Sequence, residues 1–162
     1  MQDIKEYLSY DQVTGVFTWL KPTFRKGMLG NTAGTKSLFG YTLIGYKGKI
    51  YRAHRLAWWF IYNEMPNASV DHINGIKSDN RISNLRLATP KQNAHNINNP
   101  QQNNTSGYRG VYWNKKDKRW VALIKTNNKL KYLGGYITPE EAHNAYLCAK
   151  KELHPFWVDN NI

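Results

Sequence analysis

The stretch VDHINGIKSDNRISNLRLATPKQN, Val70 to Asn93, decides how this chain is read. Asp71 stands directly before His72, Asn84 follows twelve residues after that histidine, and Asn93 comes nine later. An acid, an imidazole and two amides at these intervals suit a hydrated metal ion beside a general base better than they suit core packing. Carboxylate and amide oxygens are hard donors matched to Mg²⁺, which keeps several of its waters and bridges to phosphate. A neutral histidine alongside can take a proton from an attacking water. The reaction class implied is metal-assisted hydrolysis of a phosphodiester. The competing reading makes Asp71 and Asn93 turn and cap residues and His72 a surface imidazole, and it leaves the spacing without a cause.

Local pattern supports a compact unit around these residues. Asn74-Gly75 reads as a hairpin turn between Val70–Ile73 and a return from Asn80 to Leu87. A helix is expected to open at Thr89, with Thr89 as N-cap, Pro90 at the first helical position and Gln92 closing a capping box. Asn93 then sits in the first or second turn, facing back toward the hairpin. Upstream, His54 to Asn63 shows helical spacing of Leu56, Trp59 and Phe60. The first fifty residues read as short strands, with a tight turn at Lys47-Gly48 and loops broken by Gly27, Gly30, Gly34 and Gly40. The string from Gly30 to Ser37 fails as a phosphate-binding loop, because Thr35 separates Gly34 from Lys36.

On these residues the chain resembles the HNH nucleases, in the His-Asn-Asn form of phage-type homing endonucleases. The resemblance covers the first hundred residues or so. It rests on AHRLAWWF from Ala53, the DHINGxKxDNRxxNLRxAT body, and the Y-D-x-x-T-G-x-F-x-W opening from Tyr10 to Trp19. It implies Asp71 and Asn93 as metal ligands, His72 as general base, and Asn84 as the residue that orients the hairpin holding His72. It also implies Mg²⁺ or Mn²⁺ as cofactor. His54 is expected to buttress the nuclease core rather than bind metal.

Beyond the polar tract NAHNINNPQQNN, Asn93 to Asn104, the character changes. Strand-like runs at Tyr108–Trp113, Arg119–Lys125 and Lys129–Tyr136 are joined by short connections, which favours an antiparallel meander. Thr138-Pro139-Glu140-Glu141 is a capping box opening a helix with Ala142, Ala145, Tyr146 and Ala149 on one face. Between Thr105 and Gly135 eight Lys or Arg face one acid, Asp117, so the uncovered sheet face should be basic. Through YRGV, the basic RW strand, YLG and the TPEEAHNAY helix, the segment resembles the DNA-binding domain of plant Apetala-type (ethylene-response-factor-type) regulators. That resemblance implies a sheet entering the major groove. The residues expected at DNA are Arg109, Tyr112, Trp113, Lys115, Arg119, Lys125, Lys131 and Tyr132. The chain departs from the plant pattern by carrying Tyr112, Leu123 and Leu130 where those domains often place charge.

Composition agrees. A formal charge of +12 and a pI near 9.8 call for a polyanionic partner, and 11 Tyr and 6 Trp interleave with the basic residues. The single cysteine, Cys148, allows no intramolecular disulfide and no Cys-rich structural zinc site, and it is expected to be a small buried hydrophobe. His95 is expected at the surface or on the DNA side. The run Leu56 to Tyr62 is too short to span a bilayer, and MQDIKEYLSY lacks the pattern of a secretory leader, so no membrane partner is expected.

The expected architecture is α+β. An HNH nuclease domain over 1–98 has small N-terminal strands and a ββα-metal core, with its motif at 70–96. A polar linker at 99–104 leads to an Apetala-type DNA-binding domain over 105–162, a three-stranded antiparallel sheet backed by one helix. The expected function is a metal-dependent endonuclease hydrolysing phosphodiester bonds in duplex DNA, in the cytoplasm of a bacterial or phage-infected cell. One motif per chain predicts nicking by a monomer, whereas a homodimer could cut both strands. The alternatives are a non-cleaving DNA-binding regulator on a nuclease scaffold and a protein acting on RNA.

Overall fold

A computed structural model describes residues 2–22, 29–97, 100 and 102–159. Gly27 and three residues of the polar tract, Asn98, Asn99 and Gln101, lie outside the described residues. The chain is α+β and divides into two compact units, Met1–Pro90 and Lys91–Ile162.

In the first unit β1 (Leu8–Tyr10) pairs antiparallel with β2 (Phe17–Trp19), preceded by a 3-10 turn at Gln2–Glu6. A second sheet has the order β3 (Thr35–Lys36), β4 (Thr42–Tyr46), β5 (Lys49–Arg52). The β4–β5 turn is the expected Lys47-Gly48 pair, and both residues have positive φ, 46° and 73°. Helix α1 (Ala53–Tyr62) follows without a break and ends on Asn63 in the left-handed region. Leu56 and Trp59 are buried from α1 against Ile4, Leu8, Phe17, Trp19 and Ile44, so the helix and the small sheets share one apolar core. Arg55 reaches from α1 to two carbonyls, donating to Ala68 O at 3.1 Å and Pro66 O at 2.8 Å. That fixes the chain leading into β6 (Ser69–His72), which pairs antiparallel with β7 (Leu85–Ala88).

The β6–β7 connection differs from the tight hairpin expected. Gly75 does turn the chain, with φ 71° and its N–H on His72 O at 2.9 Å, yet the return strand begins at Leu85 rather than Asn80. Side chains satisfy the intervening backbone in place of a strand ladder. Asn84, in a 3-10 turn at Ile82–Asn84, accepts from Asn74 N and donates to Asp79 O. The opening motif backs this loop from behind. Tyr10 Oη donates to Asn80 O at 2.7 Å, and Ile82 N donates to Gln12 O at 3.3 Å. Gly15, at φ 73°, lies so close to the loop that a Cβ there would sit 2.4 Å from Arg81 N.

Helix α2 (Pro90–His95) starts where expected and is six residues long. In the second unit β8 (Val111–Asn114), β9 (Arg119–Thr126) and β10 (Lys129–Tyr136) form the three-stranded antiparallel sheet, with β9 central. Strand β8 starts three residues later than the pattern suggested. Ser106 and Asn104 bind the carbonyls of Tyr108 and Val111 and hold the preceding segment as a turn. Helix α3 (Pro139–Leu153) carries the expected capping box, with Glu141 N donating to Thr138 Oγ1 at 3.2 Å and Thr138 N donating to Glu141 Oε2 at 3.3 Å. Its Ala142 and Tyr146 pack on Val111, Ala122 and Ile124. Gly110, φ 78°, admits the Tyr146 ring where a Cβ would meet it at 2.3 Å. Cys148 is exposed, not buried. It lies two residues past Tyr146, about 200° around the helix from the packed face.

Gly15→Ala should therefore destabilise the first unit by more than about 1 kcal/mol, because it combines a positive φ with a backbone clash. Denaturant unfolding of the full chain checks this as a lower midpoint at unchanged slope.

Candidate active site and nucleic-acid interface

His72 ends β6 with its ring buried. Tyr41, His54 and Asn80 lie against it. The His54 ring of α1 meets it edge-on at 5.0 Å between centroids, the Tyr41 ring lies at 6.1 Å, and Asn80 Oδ1 lies 3.4 Å from Nε2. Asn80 Nδ2 donates to Ser78 O at 3.1 Å, which turns its oxygen toward the histidine. In the tautomer that donates from Nε2 to this oxygen, the basic lone pair is on Nδ1. Burial lowers the His72 pKa below the ordinary histidine value, against the opposing pull of Asn80, Asp71 and Asp79. His54 is pushed down to about 3, by burial first and then by His72, Arg52 and Arg55. Both imidazoles are thus neutral at neutral pH, which is the form a general base needs.

Asp71, one residue before, stands opposite Arg86 across the β6–β7 pair. Arg86 Nε and Nη2 both donate to Asp71 Oδ2, at 3.1 and 3.0 Å. This partner was not singled out from the sequence, although any antiparallel register matching Asp71 to the NLR string would have found it. Asn80 went unnoticed too, while Tyr41 carries no local signal and is found only in three dimensions. Asn84 is buried and makes three hydrogen bonds, from Asn74 N and to Asn74 Oδ1 and Asp79 O, all between 2.9 and 3.0 Å. Asp79 is in turn gripped by Arg81 through Nε and Nη2, which first among its partners brings its pKa down to about 2.

Asn93 falls in α2, within the second compact unit. Its Oδ1 is buried without a hydrogen-bond partner among the described residues. A buried acceptor left over in this way fits a site for a cation. An amide oxygen is a hard donor of the kind that suits Mg²⁺ and similar ions. Among the described residues there is no cluster of three or more His, Cys, Asp and Glu placed to hold a metal. His95, on the same helix, is not a free surface ring. It stacks on His154 at 3.9 Å, and His154 Nε2 lies 3.0 Å from Lys125 O.

The sheet sorts the residues expected at DNA. Register pairs Tyr112 with Val121, Asn114 with Arg119, Leu130 with Lys125 and Tyr132 with Leu123, so Tyr112, Arg119, Lys125 and Tyr132 share the face away from α3. Gly135 leaves room where they converge, since a Cβ there would meet Tyr132 Oη at 3.3 Å and Arg119 Cδ at 3.4 Å. Trp113 and Lys131 alternate to the α3 face, where Trp113 packs edge-on against Trp120 at 5.1 Å. Arg109 precedes β8 and hydrogen-bonds Tyr146. Lys115 is exposed in the β8–β9 turn. A cleft of about 740 Å³ in this unit is lined by Tyr112, Leu123, Lys125 and Leu130 of the open face together with Lys91 and His95 of α2.

A strand pair carrying Asp-His, followed by a helix carrying Asn, defines an HNH nuclease domain, and the sheet with α3 defines an AP2 domain. Comparison with known families agrees: the HNH endonuclease model matches residues 51–95 and the AP2 domain model residues 106–154. The chain belongs to the HNH endonuclease family, with an AP2 DNA-binding domain after the nuclease domain. It is 34% identical over 82 residues to protein 3.8 of Escherichia phage T7, covering 50% of this chain and 67% of that protein. Over 60 residues it is 45% identical to the SPbeta prophage-derived protein YosQ of Bacillus subtilis (strain 168), whose name places it among HNH homing endonucleases. That match covers 33% of this chain and 35% of YosQ. No solved structure matches the chain significantly. No helix among the described residues is long and apolar enough to cross a membrane.

The buried histidines give the first unit a pH signature. Folded His54 resists protonation down to about 3, whereas an unfolded histidine takes up its proton near 6.5. The unfolded chain therefore binds more protons below 6.5, and stability present above that pH is lost as pH falls toward 3. The loss approaches about 1.4 kcal/mol for each pH unit from this one group. Unfolding midpoints measured between pH 7 and 4 should fall, and His54→Phe should flatten that slope, leaving the smaller contribution of His72.

Proposed function

We propose that this protein is a metal-dependent endonuclease that nicks duplex DNA, with the HNH domain (read as 1–98) cutting and the AP2 domain (read as 105–162) holding DNA. The observation that carries the reading is the neutral, Asn80-oriented His72 imidazole beside Asp71 in a chain of the HNH family. His72 Nδ1 takes a proton from water as the water oxygen attacks phosphorus. The bond from phosphorus to the 3′ oxygen breaks on the opposite side, and the departing oxygen picks up a proton from solvent. Asp71 and Asn93 are the proposed ligands of Mg²⁺ or Mn²⁺, an ion that when bound supplies neutralisation of the charge growing on the leaving oxygen. Arg86 holds the Asp71 carboxylate in place on β6. Asn84 acts indirectly, by fixing the loop that carries Asn80. On the AP2 sheet, Tyr112, Arg119, Lys125 and Tyr132 form the proposed DNA face, with Arg109 and Lys115 beside it, while Trp113 and Lys131 lie on the opposite, α3 face.

Incubation with supercoiled plasmid tests this reading. Relaxed circles formed with Mg²⁺ and absent with EDTA are expected, and linear product would mean double-strand cutting, as by a dimer. An unchanged plasmid that is nevertheless bound would identify a non-cleaving DNA-binding protein. His72→Ala should abolish cleavage while leaving DNA affinity within about threefold, and Asp71→Ala should lose more activity than Asn93→Ala because it removes the charge. Arg119→Ala and Lys125→Ala should each reduce the slope of log affinity against log salt by roughly 0.9. Unchanged slopes in both would remove the sheet from the DNA interface.

A further inference from the structure

The β3–β4 connection carries two adjacent large apolar side chains in water: Leu38 is fully exposed and Phe39 is 77% exposed. Isolated apolar residues on a surface need no explanation. Here the pair sits on a pinned tip. Ser37 N donates to Tyr41 O at 2.8 Å, Gly40 N to Ser37 O at 2.9 Å, and Tyr41 N to Ser37 Oγ at 3.1 Å. Lys77, from the β6–β7 loop, donates to Phe39 O at 3.1 Å and ties the tip to the nuclease motif. The order of the tip means that the two side chains are presented rather than left over from a loose loop.

What surrounds the tip is positive and close to the proposed chemistry. Lys36, Arg52 and Lys77 are exposed around it, and Arg52 and Lys77 both lie over the Tyr41 ring, at 5.2 and 5.1 Å. Tyr41 itself packs on His54 and His72, at 5.3 and 6.1 Å. Phe39 is two residues from Tyr41, at most about 7 Å of chain, which is roughly two steps along a DNA strand. Apolar wedges of Phe or Leu flanked by basic residues are how proteins part base steps, trading unstacking for a bent duplex.

We infer that Leu38 and Phe39 form a wedge that inserts between base pairs of duplex DNA within a few steps of the phosphate cut by the His72 site. The inference rests on the reading of the first unit as a DNA nuclease. Insertion unstacks and locally unwinds the duplex, and Lys36, Arg52 and Lys77 hold the phosphates on either side. Both apolar side chains make this contact in the bound state alone, so replacing them leaves the fold intact.

Unwinding can be measured without knowing the target sequence. The full chain is bound in EDTA to relaxed closed-circular plasmid, the complex is treated with a metal-independent topoisomerase I, and the plasmid is deproteinised and run on a gel. The wild type should leave negative superhelical turns that grow with protein added. The Leu38→Ser/Phe39→Ser double variant should unwind roughly threefold less, or worse, per bound protein, with its low-salt Kd shifted by less than about tenfold because phosphate contacts dominate affinity. Wild-type protein that nicks plasmid in Mg²⁺ but unwinds nothing in EDTA overturns the wedge alone, as does a double variant that unwinds as the wild type does. Wild-type protein that neither binds nor nicks DNA overturns the nuclease reading and the wedge with it. A dimer in solution that the double variant abolishes, without unwinding by either protein, would assign the tip to a second copy of the chain and overturn the wedge.

Discussion

Asn84 lies buried between the turns of the β6–β7 connection, where its amide accepts from Asn74 N and donates to Asn74 Oδ1 and Asp79 O. The loop from 73 to 84 has almost no ladder of its own, so this clasp substitutes for one. Leaving a buried donor or acceptor unmet costs about 1–3 kcal/mol, and here several would be orphaned together. Through the clasp, Asp79 is placed to receive Arg81, and Asn80 is placed with its oxygen toward His72. The state of the histidine thus depends on an amide that acts through Asp79 and Asn80.

The rest of the first unit supports that loop from outside. Tyr10, Gln12 and Gly15, from the β1–β2 hairpin, hold it through a phenol, a carbonyl and a close backbone approach. Helix α1 supplies two consecutive residues with separate tasks: His54 packs edge-on against the His72 ring, and Arg55 fixes the backbone before β6. A neutral imidazole results from burial more than from any partner, since the nearby carboxylates pull the other way. Electrostatics alone would have made His72 more basic; desolvation wins.

Much of this was legible in the sequence because it is local. The motif spacing, the Lys47-Gly48 turn, the α1 apolar stripe and the Thr138–Glu141 capping box all depend on residues a few positions apart. The return strand starts later than Asn80 because the Asp79 and Asn84 side chains satisfy backbone groups, Arg81 N, Asn74 N and Asp79 O, that the strand pattern assigns to a ladder. Cys148 was misplaced because α3 buries Lys150 instead, with Nζ on Ile97 O and over the Trp157 ring, so polarity did not mark the packed face. Tyr41 and Arg86 could not be read as neighbours of the site without the pairing of β6 with β7 and the return of β4 under α1. The divide between compact units falls between Pro90 and Lys91, ahead of the polar tract where composition changes.

Chemical rescue tests most directly whether the His72 imidazole acts as the proposed base. His72→Gly opens a cavity of imidazole size between Tyr41, His54 and Asn80. Nicking of supercoiled plasmid in Mg²⁺ by this variant should be lost and then return in proportion to added imidazole, with N-methylimidazoles less effective because they cannot both donate to Asn80 and accept from water. Full activity of His72→Gly without imidazole, or its failure to recover at any imidazole concentration while folded and DNA-bound, would contradict the account.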